Sequence, residues 1–227
     1  MRGVIDRGRT GRLKVVGVLA QLSLGAFVLL WGLALPLWLW RCVQVLSNPY
    51  AVPQSAMEVG AIAVMSLTTL LGVLTVVPAA LFFLVWLYFA VDNLHDAGLP
   101  GLKARPVWSV ASYFVPIANL IVPPGIIREL WNRSHGEDEW QAKADVAGVS
   151  IWWAGYLGGG MILTLLGILA LYDGMTNAIV LVPPGANEGM LALAMLLLCG
   201  SASSLLLVIG GITKAQSNLD NTDLIFA

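Results

Sequence analysis

The sequence predicts an all-α integral membrane protein with four transmembrane helices and a proline-broken helical element on the cytoplasmic side. Composition, the lengths of the uncharged runs and the distribution of basic residues predict this class. Of the 227 residues, 58% are hydrophobic and 11% are charged, and the mean hydropathy is +0.82. Soluble domains average about 25% charged residues. This composition excludes an ordinary soluble domain.

Four uncharged runs are long enough to cross a bilayer, which takes about 20 apolar residues in a helix. They are 15–40, 59–91, 149–172 and 190–213. The basic start resembles the beginning of a signal peptide, but the first run is longer than the apolar region of such a peptide. We therefore expect a retained anchor and a single four-helix membrane domain over 15–213. A basic cytoplasmic tail is expected at 1–14, and a second cytoplasmic tail at 214–227.

A fifth uncharged run, between Arg105 and Arg128, contains four prolines. An interior proline costs about 3 kcal/mol in a helix, which argues against one straight span. The sequence predicts a short helix over 108–115 and a turn over 116–125. Together they form a re-entrant or interfacial element over 106–131, and an acidic cytoplasmic loop follows at 134–148.

The basic residues give an independent test of this topology, because short cytoplasmic loops are enriched in Lys and Arg. With four spans and a cytoplasmic N-terminus, eleven basic residues lie inside and only Arg41 lies outside. A fifth crossing would leave seven inside and five outside. The charges favour four spans, with both termini in the cytoplasm of a bacterial inner membrane.

Charge and cysteine content exclude several classes of ligand. The net charge is −1, so the chain has no basic field for nucleic acid. Cys42 and Cys199 are expected at different depths, and neither has a Cys or His neighbour at metal-binding spacing. No cofactor, disulfide or catalytic residue is predicted. The expected partners are the lipid bilayer and either another membrane protein or a second copy of the chain.

Small residues on the last two spans indicate close helix packing. Gly155 and Gly159 have the small-xxx-small spacing, and Gly200 and Ser204 offer the same spacing on the last span. We interpret this as packing within one chain, with a homodimer seam as the alternative. The hydroxyl groups within the spans are expected to bond to their own helix backbone.

One cluster has the spacing of a metal site. Asp92, His95 and Asp96 lie at i, i+3 and i+4 and so share one face at the end of the second span. The alternative is a polar helix end in water.

The segment from Trp86 to Ser134 carries a set of motifs. They are Trp86 and Asn93, then Pro106-x-Trp108, Tyr113-Phe114-Val115-Pro116-Ile117-Ala118-Asn119-Leu120, Pro123, and Glu129-Leu130-Trp131-Asn132-Arg133-Ser134. In these motifs the chain resembles bacterial membrane proteins grouped as domain of unknown function 4328. Two positions depart from the pattern: Phe89 stands where a basic residue is usual, and Ile121 where Trp is usual.

The resemblance implies a motif on the cytoplasmic side and brings no activity with it. Its candidate binding residues are Trp86, Asn93, Trp108, Phe114, Pro116, Asn119, Pro123, Glu129 and Trp131. We expect Asn119 to bond to backbone groups left open by the prolines, and Trp108 and Trp131 to anchor the element at headgroup level.

These observations favour a non-enzymatic interaction or accessory protein acting through residues 92–148. A small transporter or channel using the re-entrant segment is one alternative. A membrane-embedded metalloenzyme using Asp92, His95 and Asp96 is the other.

Overall fold

The computed structural model describes residues 7–50, 52–53, 55–176 and 182–221, and these residues form helices and no strands. Four long helices are apolar enough to cross a membrane. Two shorter helices lie between the second and the third long helix. In chain order the α-helices are α1 Arg7–Ser47, α2 Ala56–Asp96, α3 Pro106–Ala111, α4 Pro116–Ser134, α5 Ala147–Met175 and α6 Ala186–Asn221. A single 3₁₀ turn, Glu139–Gln141, lies between α4 and α5.

Local sequence signals explain several helix ends. At the start of α2, Ser55 Oγ accepts a hydrogen bond from the Glu58 amide, and the Glu58 carboxylate accepts one from the Ser55 amide, which makes a capping box. After α2, Gly98 takes a φ of +65° that favours glycine and ends the helix. Both α3 and α4 begin with a proline, whose fixed φ suits the first helical position.

The first and last helices extend beyond the predicted spans. Helix α1 begins at Arg7, so residues 7–14 of the predicted basic tail are helical. Helix α6 continues to Asn221, through half of the predicted C-terminal tail. Residues 1–6 and 222–227 of those tails, and 177–181 of the loop before α6, lie outside the described residues.

The four long helices form an open arc in the order α2, α1, α6, α5. Helix α1 packs along both α2 and α6, and α6 packs along α5. The Trp31 ring of α1 lies directly on Gly72 of α2, and Gly17 of α1 lies against Trp86 and Thr213. Because α2 and α5 are the two ends of the arc, a gap separates them.

The seam between α5 and α6 depends on small residues and hydroxyl groups. A Cβ at Gly155 would lie 2.6 Å from the Leu197 carbonyl oxygen, and Gly159 is also pressed against α6. Ser201 and Ser204 donate to the carbonyls of Trp152 and Gly148 on α5, both at 2.7 Å. These two hydroxyls therefore bond to α5 across the seam and not, as the sequence predicts, to their own helix. The close approach of α5 to α6 brings the carbonyl oxygens of α5 within hydrogen-bond distance.

Gly200 is not part of that seam, since a Cβ there would meet nothing within 4 Å. It lies on the outer side of α6, where it is exposed. Of the predicted pair on α6, Ser204 therefore lies at the seam and Gly200 does not, and Ser201 contacts α5 where Gly200 was expected to.

The segment between α2 and α5 leaves and returns at the same end of the arc, which we call the α3–α4 end. Helix α3 runs back along α2, and the Tyr113 ring reaches Phe83 at 5.6 Å between centroids. Phe83 lies 13 residues before the end of α2, or about 20 Å at 1.5 Å per residue. The hairpin of α3 and α4 therefore reaches well along the long helices and turns back.

The position of the turn in this hairpin differs from the prediction. Residues 116–125, expected to form the turn, are the first half of α4, and the chain turns at 112–115 instead. Pro123 and Pro124 lie inside α4 without breaking it. Each removes one backbone hydrogen bond but has a helical φ, and the burial of Ile126, Ile127 and Leu130 just beyond offsets that loss.

Candidate functional site

The α3–α4 end is held together by buried polar side chains. Gln216, fully buried on α6, accepts a hydrogen bond from Asn93 of α2 at 3.2 Å. Its amide nitrogen donates to the Ala90 carbonyl and to Ser134 Oγ of α4. One glutamine thus joins α2, α4 and α6. Such a network orients its members strongly, because an unpaired buried polar group is costly.

Glu129 of α4 holds the loop before α3. Its two carboxylate oxygens accept from the backbone amides of Lys103 and Ala104 at 2.7 and 3.1 Å. His95 Nε2 donates to the Ala104 carbonyl at 2.7 Å. The loop is therefore tied to α4 on one side and to α2 on the other.

Asn132 and Arg133 of α4 donate hydrogen bonds to the backbone of the flanking loops. Asn132 Nδ2 faces three carbonyl oxygens, at 3.0–3.2 Å, and Arg133 donates to two more from its two terminal nitrogens. The five carbonyls belong to Gln141, Ala142 and Ala144 for the asparagine, and to Glu137 and Pro100 for the arginine. The segment that follows α4 is thereby folded back against the loop before α3.

Between these held segments lies a cleft of about 890 Å³, which we call the polar cleft. Its volume falls in the range of small-molecule sites. Its walls come from the loop before α3, from α4 and from the 3₁₀ turn. The lining residues are Gly101, Lys103, Ala104, Trp108, Val122, Gly125, Ile126, Arg128, Glu129, Glu139, Trp140, Ala142 and Lys143.

Three cationic side chains line the polar cleft. Lys103 and Lys143 are exposed, and within the described ranges neither forms an ion pair. Arg128 Nη2 lies 3.1 Å from Asp145 and 2.9 Å from Ser150 Oγ. The buried Arg128 Nε has no hydrogen-bond partner in the part of the chain that the structure describes. The cleft thus contains cationic side chains with N–H groups that form no hydrogen bond or ion pair within the described residues.

A second cavity, of about 470 Å³, opens in the gap between α2 and α5, and we call it the apolar crevice. Its lining includes Phe83, Trp152 and Tyr156. Tyr113 and Phe114 of the α3–α4 turn line the end of the crevice at that turn. The Phe83 and Trp152 rings approach across the gap at 6.1 Å. Aromatic and aliphatic side chains make up almost the whole lining.

The structure distributes the candidate residues from the family motif among different roles. Trp86 is fully buried and donates to Thr213 Oγ1 at 3.0 Å, and Asn93 is buried beside Gln216. Trp131 packs on Gly211 of α6 and stacks on His135. Phe89 packs against the core. These residues lie outside the polar cleft.

The other motif residues divide between the cleft and the hairpin. Trp108 and Glu129 line the polar cleft. Phe114 and Pro116 are exposed at the turn, and Pro123 is buried in α4. The role expected for Asn119 is wrong, because its buried Oδ1 has no hydrogen-bond partner among the described residues and α4 is continuous around it.

Asp92, His95 and Asp96 do not converge on one point. Both carboxylates pair with Arg9 of α1, Asp92 at 2.7 Å, while His95 turns to the Ala104 carbonyl. Across the described ranges, no group of three or more His, Cys, Asp or Glu side chains is placed to hold a metal ion. The structure gives no support to the metalloenzyme alternative.

Several residues of the site escape sequence reasoning. Trp140 is 79% exposed at the edge of the cleft, and its position in an otherwise polar loop was the available signal. Lys103 and Lys143 resemble any loop lysine in the sequence. Gln216 falls in a predicted tail, and only the extension of α6 brings it into the core.

A family model described as Domain of unknown function (DUF4328) matches residues 48–214, well over half of the chain. The match includes α2 to α5, the polar cleft and most of α6. No curated protein and no solved structure matches the chain significantly.

Proposed function

The chain belongs to the DUF4328 family, and because that description assigns no activity, we propose a function from the geometry. The protein is a non-enzymatic multi-pass membrane protein that binds a ligand or partner through residues 92–148. This segment lies at the cytosolic face of a bacterial inner membrane, with the α3–α4 hairpin re-entering the bilayer.

The polar cleft is the observation that carries the proposal. Its walls are fixed by Glu129, Asn132 and Arg133, which bond to the backbone of the flanking loops. A site held in this way is preorganised, so little ordering free energy is lost when a ligand binds. The exposed Trp140 at its edge offers a large apolar contact next to polar groups, as binding surfaces often do.

The orientation is supported by the basic residues. Among those that the structure describes, Arg41 alone lies at the end opposite the α3–α4 end. Basic residues gather on the cytosolic side of membrane proteins. The polar cleft, the start of α1 and the end of α6 are therefore assigned to the cytosol.

The apolar crevice favours binding over transport. A pathway for ions or polar solutes needs polar groups that replace the hydration shell. The crevice presents aromatic rings and aliphatic side chains instead. In a bilayer such a gap is occupied by lipid chains.

Blocking the cleft tests the proposal. A Cβ at Gly125 would meet nothing within 4 Å, so Gly125→Leu adds bulk to the cleft without an internal clash. Gly200→Leu is the matched control, because it adds the same side chain on an open face of α6. Each protein is extracted in native nanodiscs, and the molecules bound to it are measured by native mass spectrometry.

We expect the unmodified protein and Gly200→Leu to retain a bound molecule that Gly125→Leu loses at least tenfold. Equal occupancy in all three proteins, or no bound molecule on the unmodified protein, contradicts the proposal.

A further inference from the structure

We infer that the polar cleft binds a phosphate group carried by an anionic phospholipid headgroup or by a soluble phosphate ester. The inference rests on the proposed function, because it names the ligand class of the same cleft. It is argued from the cations, the carboxylates and the tryptophans that line the cleft.

The cations are arranged to receive an anion. Arg128 is held through its Nη2 atom alone, by Asp145 and Ser150. Its Nη1 has no hydrogen-bond partner among the described residues. Lys103 and Lys143 also line the cleft, and their ammonium groups form no ion pair with any carboxylate that the structure describes. Guanidinium and ammonium groups together are the usual ligands of phosphate oxygens.

The two carboxylates of the lining do not satisfy these cations. Glu129 is 7% exposed, and both of its oxygens accept from backbone amides. The Glu139 carboxylate lies against Gly101, whose φ of +76° favours glycine. The lining therefore carries three positive and two negative charges, and among the described residues neither carboxylate forms an ion pair with a cation of the cleft.

The apolar part of the lining matches a phospholipid. Val122 and Ile126 line the cleft together with the cations, and so does Trp108, which is 46% exposed. Tryptophan is enriched at headgroup level. The residues next to the lining on α3 and α4, Val107 and Ile121, are about 70% exposed and provide a surface for an acyl chain. Basic pockets of this kind on the cytosolic side bind anionic headgroups.

The test neutralises two lysine side chains of the cleft and leaves the backbone contacts that shape its walls unchanged. Lys103→Gln/Lys143→Gln neutralises two lysines of the cleft, and the backbone bond from residue 103 to Glu129 remains. Lys14→Gln/Lys214→Gln is the control, because both lysines are exposed at the same end of the molecule and lie outside the cleft. The full chain in neutral detergent is titrated with phosphatidylglycerol, phosphatidylcholine or glycerol 3-phosphate, and occupancy is measured by native mass spectrometry.

We expect phosphatidylglycerol to bind more tightly than phosphatidylcholine. The cleft variant should bind phosphatidylglycerol roughly 30-fold more weakly, about fivefold per lysine, and the control variant less than twofold more weakly. Glycerol 3-phosphate that binds at least as tightly as phosphatidylglycerol, with the same lysine dependence, identifies a soluble phosphate ester as the source. Equal losses in the two variants, or no loss in either, overturn the inference.

The outcome separates this inference from the proposed function. If Gly125→Leu removes the bound molecule but the lysine changes do not, the cleft binds something other than phosphate. If Gly125→Leu also has no effect, both proposals fail.

Discussion

The α3–α4 end and the seam between α5 and α6 both bring backbones close together, but they do so by different means. The seam works because Gly155 and Gly159 have no side chain to separate the helices. At the α3–α4 end, Gln216, Glu129 and Asn132 reach out and bond to backbone groups. The seam is a packing solution that suits lipid surroundings, whereas the α3–α4 end is a polar framework around a cleft.

The difference shows where each region is sensitive. At Gly155 and Gly159 of the seam, added volume lowers stability whatever the chemistry of the added group. At the α3–α4 end, replacing a hydrogen-bond donor by an acceptor lowers stability even when the side-chain volume is unchanged. Three substitutions, from the largest expected effect to the smallest, test this contrast.

The largest effect is expected at the seam. Gly155→Leu would place its Cβ 2.6 Å from the Leu197 carbonyl oxygen and 2.9 Å from Ser201 Cβ, so α5 and α6 must separate. We expect a loss of about 3 kcal/mol or more in the free energy of unfolding, measured by denaturation in detergent. Gly167→Leu, on an open face of α5, should change stability by less than about 0.5 kcal/mol. Equal stabilities of the two variants would show that the seam is loosely packed.

A smaller effect is expected from Asn132→Ala, which removes the donor shared by three carbonyls. We expect a loss of about 2 kcal/mol, together with faster tryptic cleavage after the exposed Lys143, because the segment after α4 is released. Asn48→Ala, at an exposed position on the opposite end, is the control. Cleavage at the same rate in Asn132→Ala and in the unmodified chain would show that Asn132 does not hold this segment.

The smallest effect is expected from Arg9→Gln, which removes the ion pairs to Asp92 and Asp96. All three side chains are about a third or more exposed, so solvent screens the pairs. We expect a loss of about 0.5–1 kcal/mol that declines as salt is added. Arg12→Gln, which removes only a weak bond to its own helix, should have no salt-dependent effect. A loss above 2 kcal/mol would mean that α1 is anchored mainly through this pair.

The four apolar helices, and the end of the molecule shared by the start of α1 and the end of α6, follow from the sequence because they depend on sums over many residues. Runs of apolar residues and counts of basic residues do not depend on individual contacts. The packing of Gly155 and Gly159 is likewise predictable from spacing on one helix. Gly200 shows the limit, since the face it occupies depends on how α6 is rotated against α5.

The polar cleft is not predictable from the sequence, because its lining, although confined to residues 101–143, comes from two loops and two helices whose arrangement depends on individual contacts. Lys103 and Lys143 line one cleft because Glu129 and Asn132 hold their loops. The sequence also does not predict that α4 is continuous through Pro123 and Pro124. Proline statistics predict a break, but the burial of Ile126 and Ile127 outweighs two lost hydrogen bonds.

The most direct test of the account is the side of the membrane on which the α3–α4 end lies. With Cys42 and Cys199 replaced by Ser, single cysteines are introduced as Glu137→Cys, at the exposed end of the loop after α4, and as Tyr50→Cys, at the opposite end. An impermeant maleimide should label Tyr50→Cys in cells whose inner membrane is intact, and Glu137→Cys only after that membrane is permeabilised. Labelling of Glu137→Cys before permeabilisation would contradict a cytosolic cleft and the function proposed for it.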